Sequence, residues 1–245
     1  MLDVLASPPQ VFDGIPLKID RDEVLRFQGY KKGRDVPTPE VERLYDEAIE
    51  EAERLLLPRA VYRAMPVAAV DADGLSIADG MRFVVPSIRG LWGPVEYLGI
   101  AICTIGEAIE DRARQLFGER EFPLAVMLDS VGSAAVECLA EWLNDRLCQL
   151  ALPHFKVTNR VSPGYAGWKV EDQAIIFRLC PGEPIGVALN EACVMTPAKS
   201  ITFAVGIGPR ARVDHYFTQC RRCWMRDCAY RRAPAEREHM VGEGK

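Results

Sequence analysis

Arg160-Val161-Ser162-Pro163-Gly164-Tyr165-Ala166-Gly167-Trp168 joins an arginine to two aromatic residues across a Pro-Gly corner. Proline presets one backbone angle, and glycine admits positive φ and lets a ligand reach the main chain without meeting a Cβ. The arginine fork suits a carboxylate or another planar anion. Tyr165 and Trp168 have the ring area to cover an adenine or a methylene chain. The same residue types also describe an ordinary surface turn flanked by core aromatics, and by themselves they leave both readings open.

Working outward, Phe155 to Asn159 reads as a strand leading into the corner. Val170 to Leu179 reads as a helix beginning among Glu171, Asp172 and Gln173 and ended by Pro181-Gly182. Val187 to Met195 and Ile201 to Ile207 have strand composition, separated by the Thr196-Pro197-Ala198-Lys199 turn. Before the corner a long helix starts at Pro123. Its apolar and small residues run from Leu124 through Val131, Ala134, Ala135, Leu139 and Leu143 to Leu147, and Gly132, Ser133 and Ala134 allow another backbone or a ligand to come close.

Earlier still, Val95 to Thr104 suits a buried strand, and Thr104 with Glu107 caps a helix reaching about Phe117. Ala60-Val61-Tyr62 and Met81 to Val85 are short strands set apart by Asp73-Gly74 and Asp79-Gly80 turns. Thr38 and Pro39 open a helix whose apolar face includes Val41, Leu44, Ala48, Ala52 and Leu55. Asp20 and Glu23 form a capping box for a helix through Val24, Leu25 and Phe27. Ile15 to Ile19 reads as a short strand, and the first dozen residues show no periodicity.

The sum is an α+β fold: a helical amino-terminal approach, a mixed or antiparallel sheet with packed helices, and a small Cys-rich tail. The division expected is a strand and helical segment at 1–58, an α+β core at 59–209 and a Cys/Arg-rich tail at 210–245.

With 49% hydrophobic residues the chain is globular and has length enough for a sizeable core. No run of about 18 apolar residues occurs and the amino terminus lacks a basic-then-apolar order, so a cytoplasmic protein with no membrane role is expected. The net charge of −5 is uneven: residues 208–245 hold nine Lys/Arg against five Asp/Glu, or +4, which leaves −9 on the remainder. Such asymmetry marks either a segment that docks on an acidic partner or a solvated tail. The acidic whole and the few spaced aromatics of the tail disfavour nucleic acid. Neither a dinucleotide nor a nucleoside-triphosphate glycine loop is present, and His154, His215 and His239 are too scattered for histidine catalysis.

Cys103, Cys138, Cys148, Cys180 and Cys193 lie singly in apolar or mixed contexts, as small buried thiols do. Cys220-x2-Cys223-x4-Cys228 is different, because two thiolates of a Cys-x-x-Cys reach one metal or cluster and a third can complete one side of the site. The neighbouring Arg221, Arg222, Arg226, Arg231 and Arg232 would offset thiolate charge. An iron–sulfur cluster, zinc with His215 as fourth ligand, and free thiols all remain open.

The order Arg160-x-x-Pro163-Gly164-Tyr165 resembles the S-adenosylmethionine-binding motif in the activation (reactivation) domain of cobalamin-dependent methionine synthase. The likeness extends to Tyr97-Leu98-Gly99-Ile100-Ala101, Thr104-Ile105-Gly106, Asp129 to Glu137, and Met195 to Ser200, in that order. These are similar to the landmarks of free-standing relatives of that domain. The resemblance implies an activation-domain-like fold in which Arg160 takes the carboxylate of S-adenosylmethionine while Pro163, Gly164 and Tyr165 surround the ligand. It further implies Glu141 beside the α-ammonium or sulfonium, and Lys199 and Ser200 in a Pro-x-x-Ser loop bordering the site. Ile201-Thr202-Phe203 stands where the methionine synthase version usually continues Val-Ser-Gly, and the acidic, histidine-containing insertion after Pro-Gly-Tyr is absent.

The function implied is that of a stand-alone reactivation protein for a corrinoid-dependent methyltransferase. Its partners would be a corrinoid protein carrying cobalamin and a low-potential electron donor such as a ferredoxin or flavodoxin. The tail cysteines Cys220, Cys223 and Cys228 would then form an electron relay or a docking element. The alternative is a non-enzymatic module that senses S-adenosylmethionine or a corrinoid and carries a zinc-stapled tail.

Overall fold

The computed structural model describes residues 8–165 and 167–214. In chain order the elements are β1 (Gln10–Asp13), α1 (Arg21–Phe27), α2 (Pro39–Leu55), β2 (Arg59–Val70), β3 (Gly74–Ile77), β4 (Arg82–Val84), α3 (Ile88–Trp92), β5 (Tyr97–Thr104), α4 (Ala108–Glu119), α5 (Phe122–Ala151), β6 (Lys156–Val157), α6 (Gln173–Leu179), β7 (Ala188–Leu189), β8 (Met195–Thr196) and β9 (Ser200–Gly208). Seven strands form one sheet in the order β4-β3-β2-β5-β9-β6, with β1 on the edge of β2. All its pairings are antiparallel. The pair β7-β8 stands apart.

The continuous apolar run of β5 is explained by cover on both faces, which removes the need for an apolar–polar alternation. Ala101 and Cys103 join Ala60, Tyr62, Phe203 and Val205 in one core, under α2, α4 and α5. Ile100 and Ile102 point the other way, into a second core with Val61, Phe83, Trp92, Trp168 and Ile176. Period-two alternation therefore persists, but both sets of side chains are apolar. Gly99 lets the strands close around Tyr62: a Cβ there would lie 2.9 Å from the Tyr62 ring and 2.9 Å from Val205.

The helix α5 runs for 30 residues and is long and apolar enough, by length and composition, to cross a membrane. Here its apolar side chains, from Leu124 to Leu147, form the first core. The small Gly132-Ser133-Ala134 stretch receives side chains rather than another backbone: a Cβ at Gly132 would sit 3.0 Å from Ile109 and 3.4 Å from Lys199.

Side-chain caps set two of the helix starts. Thr38 accepts from the amide of Val41 at 3.4 Å, with Pro39 in the first turn. Asp20 accepts from the amide of Asp22 at 2.8 Å, while Glu23 takes the Arg26 guanidinium at 2.8 Å. Thr104 does not cap α4. Its hydroxyl accepts from the amide of Gly106 at 3.2 Å, and the helix begins at Ala108 without a side-chain cap.

Two expectations for strands fail. The first strand forms at Gln10–Asp13, beginning inside the first dozen residues read as irregular, because it borrows its register from Arg59–Tyr62. Gly14, at φ 61°, then turns the chain, and Ile15, Leu17 and Ile19 pack onto the first core without pairing. In Val187 to Met195 only the ends pair, since Asn190 folds the middle into a turn by accepting from the amides of Ala192 at 3.0 Å and Val194 at 2.9 Å.

Candidate functional site

The corner hangs from β9. Val161 and Ala204 exchange backbone hydrogen bonds of 2.9 and 2.7 Å, after which the chain leaves the sheet. The turn is closed by Tyr165 N to Ser162 O at 3.2 Å, Gly164 N to Trp168 O at 2.8 Å and Trp168 N to Tyr165 O at 2.9 Å. Gly164 takes φ 90°, which an L side chain resists, and a Cβ there would meet nothing within 4 Å. Pro163 is buried beneath this open, exposed glycine, and Tyr165 is half exposed. Trp168 is not available to a ligand: it is buried, its ring packs edge-on against Phe83 at 5.8 Å, and its Nε1 donates to Asp172 at 2.8 Å.

Arg160 directs its guanidinium onto α5. Its Nη2 donates to Oε2 of Glu137 at 2.8 Å and to Oε2 of Glu141 at 3.3 Å, with the arginine side chain 15% exposed. The glutamates are one helical turn apart, so a single cation bridges two positions of one helix face. Burial works against the charged form, yet Glu137 and Glu141 together hold the arginine pKa above its ordinary value. Glu137 is 26% exposed and Glu141 63%, so the second carboxylate is the one that can turn toward an incoming cation.

Lys199 and Ser200 lie at the other end of the same strand–helix seam. Ser200 is four residues before Ala204 on β9, about 13 Å along the strand. The Lys199 ammonium sits 2.8 Å from Ser133 Oγ and 2.8 Å from Asp129 Oδ1, and its amide donates to Glu110 at 2.6 Å. Ser200 is buried and donates to Thr104 Oγ1 at 3.0 Å. Both residues therefore fix β9 against α5, β5 and α4, while Arg160, Glu137, Glu141 and the Pro163-Gly164-Tyr165 turn come together at the open end.

No protein-family model and no curated protein sequence matches this chain. Among solved structures it is similar to the MetH reactivation domain bound to AdoHcy, with a TM-score of 0.60 over 87% of this chain and 82% of that one, at 17% identity. This chain has the MetH reactivation-domain fold. At that identity the likeness is one of fold, and it accounts for the curled antiparallel sheet with helices packed on it.

Within this reactivation-domain fold the sequence reading missed Glu137 as a partner of Arg160. The available signal was its i,i+4 spacing from Glu141. It also missed Asn159, whose amide holds Asp214 by two hydrogen bonds of 2.9 Å each. Cys220, Cys223 and Cys228, with His215, lie outside the described residues. Among the described residues no group of three His, Cys, Asp or Glu side chains is placed to hold a metal.

Proposed function

We propose that this chain is a stand-alone reactivation protein for a corrinoid-dependent methyltransferase of the methionine synthase type, and that it binds S-adenosylmethionine at the Arg160 corner. The observation that carries the reading is the Arg160–Glu137–Glu141 cluster beside an open Gly164, on the fold of a domain solved with AdoHcy.

The chemistry of the cluster suits this donor. One arginine and two glutamates sum to a formal charge of −1. S-adenosylmethionine, with a carboxylate, an α-ammonium and a sulfonium, carries +1. Arg160 presents donors to the ligand carboxylate, and Glu141, with Glu137 behind it, faces the ammonium or sulfonium. Pro163 and Gly164 shape a main-chain edge, Tyr165 supplies a ring, and Lys199 with Ser200 holds the far border in place.

The reaction served is reductive methylation. A low-potential donor of the ferredoxin or flavodoxin class gives one electron to cob(II)alamin on the partner, forming cob(I)alamin. That cobalt attacks the sulfonium methyl; the S–CH3 bond breaks, a Co–CH3 bond forms, and S-adenosylhomocysteine leaves. No proton transfer is required, so this chain contributes orientation of the sulfonium methyl toward cobalt. Cys220, Cys223 and Cys228 would hold an iron–sulfur cluster, which would supply one-electron transfer, with zinc as the alternative occupant.

Calorimetric titration with S-adenosylmethionine tests the reading. Stoichiometric binding that is lost in a folded Arg160→Ala protein supports it, and equal affinity in the two proteins removes Arg160 from the site.

A further inference from the structure

We infer that the Trp168–Asp172 pair positions the donor corner: the indole, held by the carboxylate, fixes the turn that presents Gly164 and Tyr165 to a ligand, and neither member of the pair touches the ligand itself. The inference rests on the reading of that corner as the S-adenosylmethionine site.

One end of the corner is fixed by the sheet and the other is not. At the first end Val161 exchanges hydrogen bonds with Ala204 of β9, and Ser162 and Pro163 are buried. Beyond the second end no residue joins a strand until Ala188. Between the ends Gly164 and Gly167 take φ of 90° and 82°, and two glycines give a turn little shape of their own. The shape therefore depends on what holds Trp168. That residue closes the turn twice, accepting from the Gly164 amide at 2.8 Å and donating its own amide to Tyr165 O at 2.9 Å.

The Trp168 side chain is only 3% exposed. Its ring meets Phe83 of β4 edge-on with centroids 5.8 Å apart, and a Cβ on the neighbouring Gly167 would lie 3.5 Å from Pro86. These apolar contacts locate the indole but give it no directional hold. Nε1 supplies one by donating to Asp172 Oδ2 at 2.8 Å, a bond strengthened by the charge of the acceptor. Asp172 returns to the indole because Val170–Asp172 form a single helical turn, closed by Asp172 N to Lys169 O at 3.3 Å. Asp172 directly precedes α6, whose first residue, Gln173, donates Nε2 to Cys193 O at 3.0 Å and accepts from Thr202 Oγ1 of β9 at 3.2 Å. The second end of the corner is thereby tied to β9 as the first is, through side chains in place of backbone pairs.

The test measures amide hydrogen exchange by NMR in the full chain without ligand, and S-adenosylmethionine affinity by calorimetry. Asp172→Ala is expected to speed exchange at the Gly164 and Trp168 amides by about ten-fold or more, the scale for losing a charge-assisted hydrogen bond, and to leave the Val161 and Ala204 amides unchanged. Donor affinity should fall by about five-fold or more. Asp172→Asn, whose amide oxygen still accepts from the indole, should bring both readouts back to within about two-fold of the parent. Adding Asp172→Ala to Trp168→Phe should have no further effect on the corner, since the bond is already gone.

Parent-like exchange of the Gly164 and Trp168 amides in Asp172→Ala overturns the inference. So does equal acceleration in Asp172→Asn, or equal acceleration at Val161 and Ala204, which would mean that the pair serves general stability alone. A corner loosened in Asp172→Ala at undiminished donor affinity overturns the positioning role. The exchange readout needs no ligand, so a parent protein that fails to bind S-adenosylmethionine counts against the proposed function, while exchange still decides whether the pair fixes the turn.

Discussion

Arg160 Nη2 lies 2.8 Å from Glu137 Oε2, joining the residue that opens the Pro-Gly corner to the middle of the longest helix across 23 positions of sequence. The pair, with Glu141 beside it, makes the corner a charged cluster. Arg160→Ala is expected to weaken S-adenosylmethionine binding by about 2–4 kcal/mol, the range for losing a largely buried charge-assisted pair. Arg160→Lys, which keeps the charge but not the fork, should recover only part of it. Calorimetry checks both, with circular dichroism confirming the fold.

The excess carboxylate predicts selectivity. Methyl transfer converts a ligand of charge +1 into the neutral S-adenosylhomocysteine, so the corner should prefer donor over product by a few fold. Because Glu141 is 63% exposed, its share is screened to about 1 kcal/mol or less. Glu141→Gln should bring the two dissociation constants toward parity. An unchanged ratio in competition titrations would remove Glu141 from the ligand.

The strands and helices legible in the sequence are those whose signal is local. The two-sided apolar run of Tyr97–Thr104 and the Thr38-Pro39 start need no knowledge of the rest of the chain. The Pro163-Gly164 turn after Arg160 was legible for the same reason: it is a local constraint. What escaped depends on partners far away. Gln10–Asp13 is a strand only because Arg59–Tyr62 offers an edge. Glu137 looks like any helix-surface glutamate until β9 carries Arg160 onto it. Asn190 overrode strand composition by satisfying two backbone amides itself.

At the other end of the seam, Ser200→Ala removes the bond to Thr104 and should cost about 1 kcal/mol of stability. Its effect on donor affinity should stay within about two-fold, because the hydroxyl acts by holding β9 to β5. Urea denaturation and calorimetry on the same sample separate the two; a large loss of affinity at unchanged stability would mean direct contact.

Thiol reactivity gives a prediction with a sign. Burial pushes Cys103 and Cys180 from an ordinary value of 9.0 up to about 12. The folded state thus favours the protonated thiols. Their contribution to stability is full below pH 9 and is lost as pH climbs from there toward 12. At pH 8 native protein should leave both unalkylated, and unfolding should expose them. A strong chelator, if the tail holds a metal, should add up to three reactive thiols, assignable by mass spectrometry to Cys220, Cys223 and Cys228.

The most direct test of the account is optical. This protein is mixed anaerobically with S-adenosylmethionine, a low-potential reductant and, as the probe, a cobalamin-dependent methionine synthase lacking its own reactivation domain and held as cob(II)alamin. The account predicts conversion of the cob(II) spectrum to methylcob(III)alamin, with one S-adenosylhomocysteine formed per cobalt and no conversion in the Arg160→Ala reaction. A cob(II) spectrum that persists while calorimetry shows the donor bound would contradict it.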